Sequence, residues 1–207
     1  MPDSPYSRFL PPILTWIQDT LDAYKPQRRI VVSFGFQRLS EYFGLNDLHG
    51  TYVVVTDSPP VPPLSAWGLS EFAWMETPPR AVTYQDTYFL ETSAASSESI
   101  HLHELVHTVQ WLILGPEDFL LLYAAGLAEH GYKDSPLEAK AYAHQARFEA
   151  RGSPYSVEAE IGAATLALLP HARNRRRFAA TSLILTRERS SQSKRSAHVL
   201  GQGGDRC

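Results

Sequence analysis

The apolar residues of this chain recur with two spacings, and the spacing separates predicted strands from predicted helices. Residues 51–56 are mostly β-branched and end at an Asp-Ser-Pro-Pro turn, so they form the clearest strand. Residues 30–34 and 83–91 have similar strand character, the latter most clearly in its second half. Residues 13–24 instead repeat apolar side chains every three or four positions, which predicts an amphipathic helix. A short helix is expected over residues 36–43, before a glycine.

The second half of the chain changes to helical spacing and is divided by glycine and proline. A helix that Ser96 or Ser97 can cap is expected to end at Gly115, because Pro116 follows and suits the first turn of a new helix. Further helices are predicted over residues 116–130, 135–148 and 157–169. Strands followed by helices predict an α+β fold with a small, mostly antiparallel sheet.

Residues 59–81 are rich in proline and aromatic side chains and predict an irregular segment. A segment of this length in a compact domain is usually functional or disordered. Two interpretations remain open. In the first, the segment forms a wall of a substrate cleft. In the second, it is a crossover whose aromatic side chains anchor it to the core.

Charge is distributed unevenly along the 207 residues. Residues 1–170 contain 10 Lys/Arg and 20 Asp/Glu, whereas residues 171–207 contain 9 and 2. With 207 residues, 43% of them hydrophobic, the chain is long enough for one well-buried domain plus appendages. We therefore predict a single domain over residues 1–170 and a basic, disordered tail over residues 171–207.

The sequence contains one cysteine, Cys207, so no disulfide framework can form within the chain. The first residues lack a basic region before an apolar stretch, and no stretch reaches 18 apolar residues. We accordingly expect no signal peptide, no membrane span and a cytoplasmic protein.

The sequence His103-Glu104-Leu105-Val106-His107 carries the clearest chemistry in the chain. Two histidines four residues apart project from one helix face, so both imidazoles can reach one zinc ion. A glutamate after the first histidine can accept a proton from a metal-bound water. The helix should bury one apolar stripe and present the histidines with Gln110 on an adjacent stripe. The stripe expected in the core is Leu102, Leu105, Val106, Val109, Leu112 and Ile113.

His101 precedes His103 by two residues and should point away from the metal. Gln110 lies one turn beyond His107 and is a candidate for orienting a ligand or substrate, although a solvated side chain is the expected alternative.

Two histidines need a third protein ligand, and catalytic sites leave the fourth position to water. We favour Glu138, because it begins a helix that can return alongside the motif helix and has small neighbours that permit close approach. The competing interpretation is that Ser135 and Glu138 form a capping box, which would only fix the start of their own helix. The other downstream candidates are Glu129, His130, Asp134 and His144.

The motif followed by Glu138 on a later helix resembles the gluzincin branch of the zincin metallopeptidases. This resemblance implies a minimal zincin-like domain, with a small sheet packed on the motif helix and a helical subdomain after it. It also implies that residues 87–91 form the edge of the cleft and bind an extended peptide by strand addition. No third histidine follows at the metzincin spacing.

The resemblance implies zinc-dependent peptide hydrolysis, with one Zn²⁺ held by His103, His107 and Glu138 and with Glu104 as general base. The expected partner is a peptide or protein substrate. A donor for the oxyanion is also needed, and several side chains qualify: Tyr142, Tyr132, His144 and His130.

Three other functions were weighed against hydrolysis. A zincin-shaped protein could bind zinc in a regulatory or structural role with little proteolytic activity. Residues 171–207 could bind nucleic acid or a membrane surface, but they lack interleaved aromatic residues, which favours a solvated tail. Serine or cysteine catalysis is disfavoured, since the chain has no GxSxG sequence and its cysteine is terminal.

Overall fold

The computed structural model describes residues 4–169, and the predicted tail over residues 171–207 lies outside them. Residues 4–165 belong to one compact unit. Residue 166 begins a second unit, of which only residues 166–169 are described. The described chain has an α+β fold, as predicted. Its helices are α1 (Leu10–Tyr24), α2 (Leu39–Tyr42), α3 (Leu45–Gly50), α4 (Glu98–His130), α5 (Pro136–Glu149) and α6 (Val157–Leu166).

Four strands form one mixed sheet in the described residues: β1 (Arg29–Ile30), β2 (Tyr52–Thr56), β3 (Ala81–Tyr84) and β4 (Thr87–Glu91). Their order is β1-β2-β4-β3, and the β2–β4 pair is parallel while the other two pairs are antiparallel. The sheet is thus mostly antiparallel by pairs. Strand β2 agrees with the strand predicted over residues 51–56.

Two strand predictions are corrected. The strand predicted over residues 30–34 stops at Ile30, because Val31–Phe34 form a 3-10 turn that ends at Gly35 with φ of 71°. Residues 83–91 fold back as a hairpin through Gln85, whose φ is also positive. The hairpin places β3 outside β4, so residues 87–91 are an inner strand bonded on both sides and cannot be the cleft edge.

The proline-rich segment is more ordered than predicted. It contains two 3-10 turns, Ser65–Trp67 and Ser70–Glu76. Leu64, Leu69 and Phe72 are buried together with Leu127 of α4. Leu64, Leu69 and Phe72 therefore anchor the segment to the molecule, and the same three residues also line the cavity described below.

Helix α4 is interrupted at Gly115, as the Gly-Pro pair predicts. Gly115 has φ of 71° and ψ of 166°, a backbone conformation that glycine adopts far more easily than other residues. The helix then continues from Pro116 to His130 and stops at Gly131, whose φ is 74°. By length and composition alone, α4 is long and apolar enough to cross a membrane. Core helices meet the same criteria, and α4 packs against α5, β3, β4 and α1.

The motif helix was predicted to bury its apolar stripe and to present its histidine stripe on a separate side, and this difference in burial is not observed. Every residue from His101 to Trp111 is buried, so the histidine stripe is enclosed as fully as the apolar stripe. Leu112, assigned to the core, is 70% exposed instead. Burial on both sides follows because β3 and β4 cover one part of the helix and α5 covers another.

The close contact between α4 and α5 depends on a glycine. A Cβ atom at Gly126 would lie 2.9 Å from Cδ of Pro136 and 3.3 Å from Cβ of Ser135, both at the start of α5. The absence of a side chain at Gly126 therefore lets the first turn of α5 lie directly against α4. That turn carries Glu138.

Replacing Gly126 with Ala should push the start of α5 away from α4. We expect a loss of about 1–3 kcal/mol in the free energy of unfolding, because overpacking forces a backbone shift. Gly152→Ala is the matched control, since a Cβ at Gly152 meets no atom within 4 Å. Equal stability of the two variants in denaturant titrations would contradict the close approach.

Candidate metal centre

The two histidines of the HExxH sequence lie side by side on α4, as their spacing predicts. Their Nε2 atoms are 3.2 Å apart, and both side chains are buried. Glu138 reaches the same point from α5, and its Oε2 lies 3.4 Å from Nε2 of His103 and 3.6 Å from Nε2 of His107. Three ligand atoms from two helices therefore converge.

The triangle formed by these atoms has the size of a metal site. A point equidistant from the three atoms lies about 2.0 Å from each, close to the bond lengths of Zn²⁺ to imidazole nitrogen and carboxylate oxygen. Oε2 of Glu138 is buried and accepts no hydrogen bond from the described residues. A buried carboxylate oxygen without a donor is costly unless a cation compensates it. The residues therefore fit a divalent metal ion.

Two glutamine side chains fix the orientation of the imidazole rings. Nδ1 of His107 donates to Oε1 of Gln110 at 2.8 Å, and Nδ1 of His103 donates to Oε1 of Gln145 at 3.0 Å. Each glutamine NH₂ group in turn donates to an oxygen, of Leu137 for Gln110 and of Glu149 for Gln145. With both Nδ1 protons donated to glutamine oxygens, the Nε2 atoms are the ring nitrogens that face the common point and can bind a cation there.

Gln110 is fully buried, so the expectation of a solvated side chain was wrong. Sequence reasoning missed Gln145 altogether. Its signal was its position seven residues after Glu138, which places both residues on the same face of α5.

Tyr123 holds the other oxygen of Glu138. The Tyr123 hydroxyl donates to Oε1 at 2.8 Å, which leaves Oε2 to face the histidines. The alternative interpretation of Glu138 as half of a capping box is wrong, because within residues 4–169 no side chain caps the start of α5 and the Ser135 hydroxyl has no partner. Glu138 therefore contributes to the cluster and not to the helix end.

The three groups of the cluster perturb each other electrostatically. Burial lowers the pKa of His107, but the Glu138 and Glu104 carboxylates and the hydrogen bond to Gln110 together outweigh burial and raise that pKa to about 9. Burial raises the pKa of Glu138, but the two imidazoles outweigh it and hold the pKa well below its usual range. A cation bound here must displace the His107 proton, so its affinity should fall as the pH decreases below about 9.

Glu104 lies beside the cluster and is 4% exposed. Its Oε2 accepts a hydrogen bond of 2.6 Å from the hydroxyl of Thr83, which belongs to the outer strand β3. Sequence reasoning missed Thr83, because the contact joins residues 21 positions apart. Thr83, Glu104, His103, His107 and Glu138 all line one cavity of about 420 Å³.

The remaining candidates lie elsewhere. Glu129 and His130 are largely exposed and lie 3.7 Å from each other. His144 bonds to the hydroxyl of Tyr155 at 2.8 Å, and Asp134 is exposed. Among the described residues, His103, His107 and Glu138 form the one group of potential ligands close enough for a shared metal.

His101 points away from this group, as predicted. Its Nδ1 bonds to the hydroxyl of Tyr88 at 2.6 Å and its Nε2 to the carbonyl of Ala95 at 3.0 Å. Phe34 and Phe36 pack against its ring. His101 is a core residue with both ring nitrogens bonded.

Two tyrosines considered as oxyanion donors lie close to the cluster. The ring of Tyr142 contacts that of His103, with centroids 4.7 Å apart, and Tyr132 packs against Tyr142 and lines the cavity. Burial and the Glu138 carboxylate raise the pKa of the Tyr132 hydroxyl, so it remains protonated at neutral pH and can donate a hydrogen bond.

Comparisons of this chain with protein-family models, curated proteins and solved structures found no match. Its function must therefore be inferred from its own residues.

Replacing a member of the cluster should remove the metal. We expect one zinc per chain in the wild type and less than a tenth of that in His103→Ala, His107→Ala and Glu138→Ala after dialysis. His130→Ala is the control, because His130 lies outside the cluster. Unchanged zinc in all three variants would rule out the site, and unchanged zinc in Glu138→Ala alone would mean that another group is the third ligand.

Gln145→Met should weaken metal binding without removing a ligand. The change keeps the length of the side chain but removes the acceptor for Nδ1 of His103, so we expect a decrease of about 10–100-fold in zinc affinity. Competition with a chromophoric chelator measures this change. Gln18→Met, which alters an exposed glutamine on α1, should retain wild-type affinity. Equal affinity in both variants would show that Gln145 does not orient the ligand.

Proposed function

We propose that this chain is a zinc-dependent hydrolase that cleaves peptide bonds, with a zincin-like arrangement of its motif helix and outer strand. The convergence of His103, His107 and the unpartnered Oε2 of Glu138 supports the proposal most strongly. Two imidazoles and one glutamate are a ligand set used by catalytic zinc in peptidases. When bound, zinc would lower the pKa of a coordinated water to about 7 and polarise a substrate carbonyl.

Glu104 is the proposed general base. It follows His103 on α4 and shares the cavity with the cluster, so one of its carboxylate oxygens can accept a proton from the attacking water and pass it to the leaving amine. The hydroxyl of Thr83 bonds to the other oxygen. Thr83 therefore acts as a positioning residue that fixes the rotamer of the base.

The outer strand β3 is the proposed binding edge for an extended substrate. It pairs with β4 on one side, and no other strand pairs with it among the described residues. Its four residues all line the cavity. A peptide could therefore add to β3 through backbone hydrogen bonds next to Glu104.

Tyr132 is the proposed donor to the oxyanion. Its hydroxyl remains protonated at neutral pH, and its ring lines the cavity beside the cluster. A donor aimed at the developing negative charge would stabilise the tetrahedral state that follows attack on the carbonyl.

A zinc-binding protein with a structural or regulatory role is the second candidate. The observation that favours it is burial, because each of the three ligand residues is at most 6% exposed, which limits the access of a substrate to a bound metal. The hydrolase and the structural zinc protein differ in whether they require Glu104. A structural site requires the ligands alone, whereas hydrolysis also requires the base.

Glu104→Gln should separate metal binding from catalysis. We expect full zinc content and a decrease of at least about 100-fold in the cleavage of an unbiased peptide library, because general base catalysis is lost. Thr83→Val should lower kcat about tenfold with little change in zinc content, and Thr83→Ser should restore most of the activity because it keeps the hydroxyl. Cleavage by Glu104→Gln at the wild-type rate would remove Glu104 as the base. A wild type that binds zinc but cleaves no peptide would favour the structural role.

A further inference from the structure

The cavity that contains the candidate metal centre is far larger than a metal and a water molecule need. Its volume of about 420 Å³ lies in the range of pockets that bind drug-sized molecules. An apolar cavity of about 150 Å³ is enough to hold benzene. The cavity can therefore accept a large group of a substrate beside the cluster.

Most of the lining away from the cluster is apolar. A buried cluster of Leu64, Leu69, Phe72 and Leu127 forms one wall, and Tyr6, Phe9 and Ile13 pack against that wall. Among the residues that the structure describes, the lining contains no lysine, arginine or aspartate. A charged side chain in this space would lose its hydration without gaining a partner, whereas an apolar side chain would gain from burial.

The break in α4 at Gly115 determines where the second half of the helix contributes to this apolar wall. After Gly115 the helix contributes Phe119, Tyr123 and Leu127, which lie four residues apart and so share one face. Tyr123 joins the apolar wall to the metal cluster, because its ring packs against the wall while its hydroxyl bonds to Glu138. The apolar space and the candidate reaction centre are therefore contiguous.

We propose that the substrate is a peptide with a large aliphatic or aromatic side chain next to the cleaved bond, and that the Leu64, Leu69, Phe72 and Leu127 wall binds that side chain. This specificity rests on the hydrolytic function proposed above. It also assigns a role to the proline-rich segment, which supplies Leu64, Leu69 and Phe72. Polar and charged residues at the same substrate position are disfavoured.

Hydroxamic acids allow the metal site and the apolar pocket to be tested separately with the zinc-loaded full chain. Acetohydroxamic acid can engage only the metal, whereas 3-phenylpropanohydroxamic acid also carries a phenyl ring. We expect the aromatic probe to bind at least about tenfold more tightly, as burial of a phenyl ring implies. Calorimetric titration measures both dissociation constants without relying on catalysis.

Ala124→Phe tests whether the added affinity comes from this cavity. Ala124 is partly buried against the wall and lines the cavity, so a phenyl ring there should fill the space. We expect the preference for the aromatic probe to fall below about threefold, with zinc content and acetohydroxamate affinity unchanged. Leu112→Phe is the matched control, because Leu112 lies on the same helix and is 70% exposed. If Ala124→Phe does not hold zinc, the smaller Ala124→Val should show a partial loss of the preference.

Each outcome either supports or overturns the pocket. Equal affinity of the two probes for the wild type would overturn it while leaving the metal site intact, and so would a preference that survives Ala124→Phe. Failure of acetohydroxamic acid to bind the zinc-loaded chain would overturn the open, catalytic site and the pocket together and would favour the structural role. A dodecanohydroxamic acid that binds more tightly than the aromatic probe would replace a peptide side chain with an acyl chain as the occupant.

Discussion

The structure around α4 and α5 depends on a carboxylate buried beside two imidazoles. Glu138 is 3% exposed and one of its oxygens has no hydrogen-bond donor, an arrangement that costs several kcal/mol unless positive charge compensates it. A proton on His107 supplies that charge in the absence of metal, as its raised pKa indicates. A divalent cation would supply more charge at the same point. The requirement for positive charge thus links the folding of two helices to the occupancy of the proposed site.

The orientations of the two imidazole rings and of the Glu138 carboxylate are fixed by side chains that are not themselves candidate metal ligands. Gln110 and Gln145 hold the two imidazole rings, and Tyr123 holds the free oxygen of Glu138. The missing side chain at Gly126 brings the start of α5 close enough for Glu138 to reach α4. Rigid support of this kind is what a metal site needs if its ligands are to keep a fixed geometry.

The sequence predicted what depends on local spacing and missed what depends on contacts between distant residues. The pairing of His103 with His107 follows from helix geometry, and the interruption at Gly115 follows from glycine and proline chemistry. Gln145 and Thr83 were missed because they meet their partners across 42 and 21 positions. The prediction of residues 87–91 as the cleft edge was wrong for the same reason, since these residues pair with β2, 35 positions earlier in the chain, and the hairpin leaves β3 outermost.

The correction of the strand order strengthens the proposed function. If β4 were the edge, Thr83 would have no special relation to a bound peptide. With β3 outermost, the strand proposed to bind the substrate also carries the hydroxyl that bonds to Glu104. The position of the base would then be coupled to the backbone along which the peptide lies, while the apolar wall lies in the same cavity. One strand and one interrupted helix would in this way position the substrate backbone, the base and the adjacent side chain relative to the metal.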